Sequence, residues 1–332
     1  MQRNRILFLA VAVVFSLCLF SCTPATEPPG ETSPSIESVL SAISEFDTVR
    51  TEPEETETSE TAGSLYPMAI DDSYGNRAII EKEPMRIVSL APNITELLFD
   101  LGAGEKLVGR TDYCNYPESA LSIASVGSID MPSVETIVTL DPDLIIASSI
   151  FTEASYEALT ELGYTVVVFH EEYDMDGVKD VIASVGAIMD CGTEAQSLIE
   201  AMDQRIQSAI EKIDSENRPS VYYAVSFGDY GDYTAGGDTY VNALIEMAGG
   251  VNIASDITGW SYSVEKLVEK DPDIILVNEY MLADFMALEP YKNLSAVKNG
   301  QVFGINPDLI ERQGFRNAAG IELLVSLFYP AE

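Results

Sequence analysis

Ser133-Val-Glu-Thr-Ile-Val-Thr-Leu-Asp-Pro-Asp-Leu-Ile-Ile-Ala-Ser148 decides the fold, because it returns without a gap as Ser263-Val-Glu-Lys-Leu-Val-Glu-Lys-Asp-Pro-Asp-Ile-Ile-Leu-Val-Asn278. Eight of the sixteen positions are identical, at an offset of 130 residues. In each copy a serine suited to an N-cap opens a short helical stretch. Glu135 and Glu265 fall in the first turn, where the helix dipole favours a carboxylate. A Pro-bearing turn follows, and then an apolar run without alternation, the pattern of a strand covered on both faces. The period is too long for a solenoid and predicts two similar lobes.

Outward from the repeat, strand and helix alternate. Arg86–Leu90, Leu144–Ala147, Thr165–Phe169 and Val221–Val225 read as strands; Ile94–Leu101 and Glu153–Leu162 read as helices. Such alternation predicts an α/β fold with a largely parallel sheet. Asp176–Ile213 is mostly helical, with Val181, Val185, Ile188, Leu198, Met202, Ile206 and Ile210 on its apolar positions and a break near Cys191-Gly192. Pro219 ends it.

The N-terminus has a different character. Arg3 and Arg5 precede an uncharged apolar run, Ile6–Phe20, which is short for a membrane span and matches the basic and apolar regions of a signal peptide. It ends in Leu19-Phe20-Ser21-Cys22, which resembles a bacterial lipobox with Cys22 as the lipidated residue. Residues 23–64 are rich in Thr, Glu, Pro and Ser, with too little apolar surface to fold. Ile36, Val39, Leu40 and Ile43 leave room for one short helix there. Anchor, solvated tether and globular body together suggest an exported, lipid-anchored protein. Such a protein lies in the periplasm of a Gram-negative cell or on the outer face of the plasma membrane of a Gram-positive one.

The 332 residues carry a net charge of −36, with 54 acidic residues, 18 Lys+Arg and one His. The acidity is not confined to the tether: residues 23–83 carry −11 and residues 84–332 carry −27. This charge gives no footprint for nucleic acid or an anionic lipid surface. A single His cannot supply a multi-imidazole zinc site. Once Cys18 leaves with the signal and Cys22 takes lipid, Cys114 and Cys191 remain, either free or paired.

Arg86-Ile-Val-Ser-Leu-Ala-Pro-Asn-Ile-Thr-Glu-Leu-Leu-Phe-Asp-Leu-Gly102 resembles the opening of the class III substrate-binding proteins of ABC importers, which bind vitamin B12, haem or iron-siderophores. Leu107–Pro117, Val126–Ser128, Ser133–Ala147, Gly259–Glu265, Asp271–Leu276 and Asn306–Gly314 continue the likeness in order across residues 85–330. The resemblance implies two Rossmann-like α/β lobes joined by a long bridging helix, with the ligand in the cleft between them. The segments are a signal peptide over 1–22, an acidic tether and lead-in over 23–83, and an N-terminal lobe over 84–190. The bridging helix then covers 191–217, with an earlier start near 176 as an alternative, and the C-terminal lobe 218–332. It also implies a permease dimer with its ATPase as partner, a monomeric binding protein, and docking of the permease on one glutamate per lobe, positions matched by Glu135 and Glu265.

A large planar or macrocyclic ligand wants aromatic faces and a few polar anchors. The candidates in predicted loops are Tyr113, Phe227, Tyr230, Tyr233, Trp260 and Tyr262, with Tyr113 and Trp260 matching cleft positions of the family. Arg312 and Arg316 could meet a carboxylate, propionate or phosphate, or serve as partners of nearby acids. His170 follows a strand and is a candidate axial ligand to haem iron or cobalt. No catalytic cofactor is expected; the transported ligand is an iron-siderophore, haem or cobalamin. An α/β hydrolase is the competing enzyme class, but no Gly-x-Ser-x-Gly elbow is present and Gly236-Gly237 fits no phosphate loop. An adhesin-type lipoprotein is the other alternative, and it needs neither paired glutamates nor aromatic loops.

Overall fold

The computed structural model describes residues 65–331 except residue 149. The expected signal peptide, Cys22 and the tether up to residue 64 lie outside the described residues. The rest of the lead-in is more ordered than its composition suggests. Met68–Asp71 (β1) and Arg77–Ile80 (β2) form an antiparallel hairpin with Met68 opposite Ile80. Met68, Ile70, Ala78 and Ile80 give it one apolar face, which packs on the main core, and Asp72 Oδ1 accepts the turn N–H groups of Tyr74 and Asn76. Period-two alternation over so short a segment is easily lost beside an acidic tether.

Two four-stranded parallel sheets follow. The first contains Ile87–Ser89 (β3), Leu107–Arg110 (β4), Leu144–Ser148 (β5) and Val166–Phe169 (β6), in the order β4-β3-β5-β6. Helices Pro92–Asp100 (α1), Val134–Leu140 (α2) and Glu153–Glu161 (α3) connect them. Met175–Ile188 (α4) and Gly192–Ile210 (α5) lead to the second sheet. That sheet contains Ser220–Ala224 (β7), Val251–Asn252 (β8), Ile274–Asn278 (β9) and Val302–Ile305 (β10), in the order β10-β9-β7-β8. Its helices are Tyr240–Met247 (α6), Val264–Lys270 (α7), Leu282–Ala287 (α8), Ser295–Lys298 (α9), Asp308–Glu311 (α10) and Asn317–Phe328 (α11). Numbered within each lobe, both sheets have the order 2-1-3-4. The chain reverses direction across the sheet between strands 1 and 3, a point where α/β sheets open a crevice at their carboxyl ends.

The repeat is the third unit of each lobe, α2–β5 and α7–β9, and its conserved geometry explains its sequence. Ser133 and Ser263 accept the N–H groups of Thr136 and Lys266 as N-caps. Asp141 and Asp271 end the helices in the left-handed region, at φ 46° and 38°. Asp143 then accepts the N–H groups of Met85 and Arg86, just before β3. Asp273 accepts that of Ser220, at the start of β7. Each Asp-Pro-Asp turn thus ties the third strand of its lobe to the first, beside which it pairs in parallel.

The predicted helical stretch is two helices. The chain breaks at Met189–Cys191, where Asp190 has φ 54°. The 19-residue α5 ends at Ile210, because Asp214 draws residues 214–217 into a turn by accepting from Glu216 and Asn217. It spans roughly 28 Å. Arg205 on α5 forms a bidentate pair with Glu322 on α11, at 2.8 and 2.6 Å. One continuous apolar core includes Ile87 and Leu144 from the first sheet, Val221 and Leu276 from the second, and Val185, Met202 and Leu324 from the helices between. Cys114 and Cys191 are both free thiols.

Candidate functional site

The carboxyl ends of strands from both sheets meet at one cleft of about 650 Å³. Pro92 and Asn93 reach it from the end of β3, Tyr113 from β4, Ser148 and Ile150 from β5, and Glu171 from β6. The second lobe contributes Val225 after β7, Trp260 from the loop before α7, and Asp308, Glu311, Arg312 and Gln313 after β10. The repeated 2-1-3-4 order faces two crevices toward one another.

Trp260 is held by backbone pairing between loops. Its carbonyl accepts from Thr234, and the carbonyls of Gly259 and Ile257 accept from Gly236 and Gly237. A Cβ on Gly236 or Gly237 would sit 2.4 or 2.2 Å from a backbone oxygen of the facing loop. The glycine pair therefore serves close approach of two backbones. Trp260 keeps 36% of its surface exposed, and Tyr113 57%. These two cleft residues present free aromatic area from opposite lobes.

The base of the cleft is a polar strut. Glu96 lies on the buried side of α1, its side chain only 9% exposed. Its Oε1 accepts from Arg312 at 2.9 Å and from Arg316 at 3.1 Å. Arg312 also donates to Asn115 Oδ1 at 2.8 Å and to the Tyr113 carbonyl at 3.3 Å, and its Nε lies 3.1 Å from Asp308. Arg316 stacks 4.2 Å over the Tyr116 ring. Beside them Gln313 exchanges hydrogen bonds with the backbone of Glu172, at 2.8 and 2.6 Å. Fully buried Asn317 fixes the carrying loop: it donates to the carbonyls of Leu309 and Arg312 and accepts from Tyr240 Oη and the Gly314 N–H. Burial pushes the Glu96 carboxyl above the usual carboxylate range, against the pull of both guanidiniums. Glu311, which accepts from Tyr223 Oη at 2.6 Å, and Glu171 are also pushed up by burial.

Of the residues expected at the ligand, the cleft contains Tyr113, Trp260 and Arg312. Arg316 lies behind it, paired to Glu96. Phe227 and Tyr262 are instead core residues, 7% and 8% exposed. Phe227 packs edge-on against Phe285 and Tyr291, and Tyr262 packs against Tyr222 with its Oη donating to the Ile253 carbonyl. Both follow strand ends, but the second lobe needed their area for its own core. Tyr233 pairs through its backbone with Ser226 and Ser261 and, though 42% exposed, is not among the cleft-lining residues. The Tyr230 backbone closes the turn Gly228–Tyr230; its side chain lies outside the described residues. His170 is exposed, edge-on to Tyr74 at 5.2 Å, and its backbone N–H donates to Ser73. It is not among the cleft-lining residues, although the adjacent Glu171 is. Glu135 and Glu265 are both exposed in the first turns of α2 and α7.

Sequence reasoning missed Glu96, Glu171, Asp308 and Glu311. For Glu96 a signal existed: a lone acid inside the apolar run Ile94–Phe99 has to find a cation once that face is buried.

Residues 87–309 match the periplasmic binding protein family. The chain is 32% identical to an uncharacterized ABC transporter substrate-binding lipoprotein, YvrC, of Bacillus subtilis, over 80% of this chain and 87% of the relative. It is 30% identical to a cobalamin-binding protein of Halobacterium salinarum, over 80% and 74%. Among solved structures it resembles the periplasmic haem-binding protein HutB of Vibrio cholerae, at 26% identity and a TM-score of 0.68, over 74% of this chain and 99% of that one. With two parallel-sheet lobes of identical strand order facing one cleft, the chain belongs to the periplasmic binding protein family.

Proposed function

We propose that this chain is the lipid-anchored binding component of an ABC importer, capturing a metal chelate (cobalamin, haem or an iron-siderophore) and delivering it to the permease. The observation that carries this reading is the cleft itself. Its volume suits a macrocyclic ligand, and Tyr113 and Trp260 offer aromatic faces from opposite lobes. Relatives named for cobalamin and haem support the chelate class. Delivery follows from the repeat: Glu135 and Glu265 are exposed at equivalent places on equivalent helices, suited to two basic pockets of a symmetric permease dimer. Cys22 is the lipidation site, which holds an exported monomer at the membrane.

The test is the absorbance spectrum of the purified protein after exposure to haem, cyanocobalamin and ferric hydroxamate, followed by desalting. Saturable retention of one chromophore without its chemical conversion is the expected result. Turnover of the chelate, or retention of none, overturns the reading.

A further inference from the structure

Among the described residues the arginine lining the cleft is already ion-paired, while two of the three lining carboxylates are not. Arg312 is, among the described residues, the one Lys or Arg lining it, and both Glu96 and Asp308 already hold its guanidinium. Arg316 stands behind, on Glu96 and Tyr116. Glu171 and Glu311 line the same cleft without an ion-pair partner among the described residues. The remaining lining is apolar or neutral, Tyr113, Ile129, Ile150, Val225 and Trp260 among it. An anionic ligand entering here meets two carboxylates without an ion-pair partner and, among the described residues, no unpaired cation, whereas a neutral or cationic one escapes that repulsion.

We infer that the cleft selects chelates without net negative charge: neutral corrinoids and neutral or monocationic hydroxamate chelates, with haem and ferric tris-catecholates excluded. The inference rests on the chelate-binding reading above and narrows it. Two residues set the selection. Glu171 lies on the segment after β6 and Glu311 at the end of α10, so the lobes contribute one carboxylate each.

The experiment is a titration of the full-length protein with four probes at fixed ionic strength: cyanocobalamin (neutral), ferrioxamine B (monocationic), haem (two propionates) and a ferric tris-catecholate (trianionic). Wild type and the double variant Glu171→Gln/Glu311→Gln are compared. Wild type is expected to bind cyanocobalamin or ferrioxamine B at least about tenfold more tightly than either anionic probe. The double variant is expected to narrow that ratio by about tenfold. Preferential binding of haem or the catecholate by wild type overturns the charge selection and leaves the chelate reading standing. An unchanged ratio in the variant overturns the role of these two residues. Binding of none of the four probes overturns the chelate reading and this inference with it.

Discussion

Glu96 on α1 accepts from Arg312 at 2.9 Å and from Arg316 at 3.1 Å, joining the first helix of one lobe to the last loop of the other beneath the cleft. The relationship braces the cleft floor, holds Arg316 behind the cleft, and leaves Arg312 lining it with its guanidinium already paired. It also concentrates two ion pairs on the single carboxylate of Glu96. Glu96→Gln leaves two largely buried guanidiniums without their shared carboxylate. The variant is expected to lose about 3 kcal/mol of unfolding free energy, the usual cost of breaking a buried pair from one side. Urea denaturation measures this; a loss under about 1 kcal/mol would mean water already serves the site.

Asp100, at the other end of α1, keeps an exposed face, yet the packing around its carboxyl pushes it up to about 6, with Arg316 opposing the shift. Its folded pKa lies above its unfolded value near 4, so the stability it contributes is fully present below about pH 4 and is lost as pH rises through about 6. Glu96, Glu171 and Glu311 shift in the same direction. Urea midpoints for wild type are expected to fall between pH 4 and 6. The Asp100→Asn variant should fall less steeply, and equal slopes would refute the assignment.

Asp141 and Asp271 occupy the same left-handed position, yet glycine should act oppositely at the two sites. At Asp141 the substitution relieves strained backbone, and no hydrogen bond of the described residues depends on the side chain, so Asp141→Gly is expected to gain roughly 1 kcal/mol. Asp271 accepts both the N–H and the hydroxyl of Ser295, at 2.8 and 2.6 Å. Asp271→Gly relieves the same strain and loses both bonds, for an expected net loss of about 1 kcal/mol. Thermal unfolding of the two variants side by side reads the difference in sign.

Trp260 is the only tryptophan in the sequence and lines the cleft. Its emission should therefore report ligand entry without interference, and a bound corrinoid or ferric chelate is expected to quench it saturably. Trp260→Ala should weaken binding by about tenfold, through lost apolar contact. Quenching that stays linear in ligand concentration would place the ligand elsewhere.

Glu135→Arg combined with Glu265→Arg should abolish uptake while leaving ligand affinity intact. Both side chains are exposed, so the variant is expected to fold, and its ligand affinity checks this. Uptake that survives the double reversal would remove these residues from permease docking.

The sequence by itself determined the lobes. The duplicated Ser-Val-Glu and Asp-Pro-Asp motifs write caps, turns and strand starts locally, where a few hydrogen bonds between near neighbours decide the geometry. It also marked Tyr113 and Trp260, which match cleft positions of the family the sequence resembles, and Arg312, a cation at the start of the last helix. Only the tertiary structure decided how those residues are used. Whether Phe227 and Tyr262 face ligand or core depends on which neighbours fill the second lobe, and Phe285 and Tyr291 fill it from far along the chain. Whether Arg312 and Arg316 are free depends on Glu96, more than 200 residues away. Charge pairing across a cleft has no local sequence period. The acidity that looked like a bulk property of the chain thus acquired a place and a use only once the two lobes were set against one another.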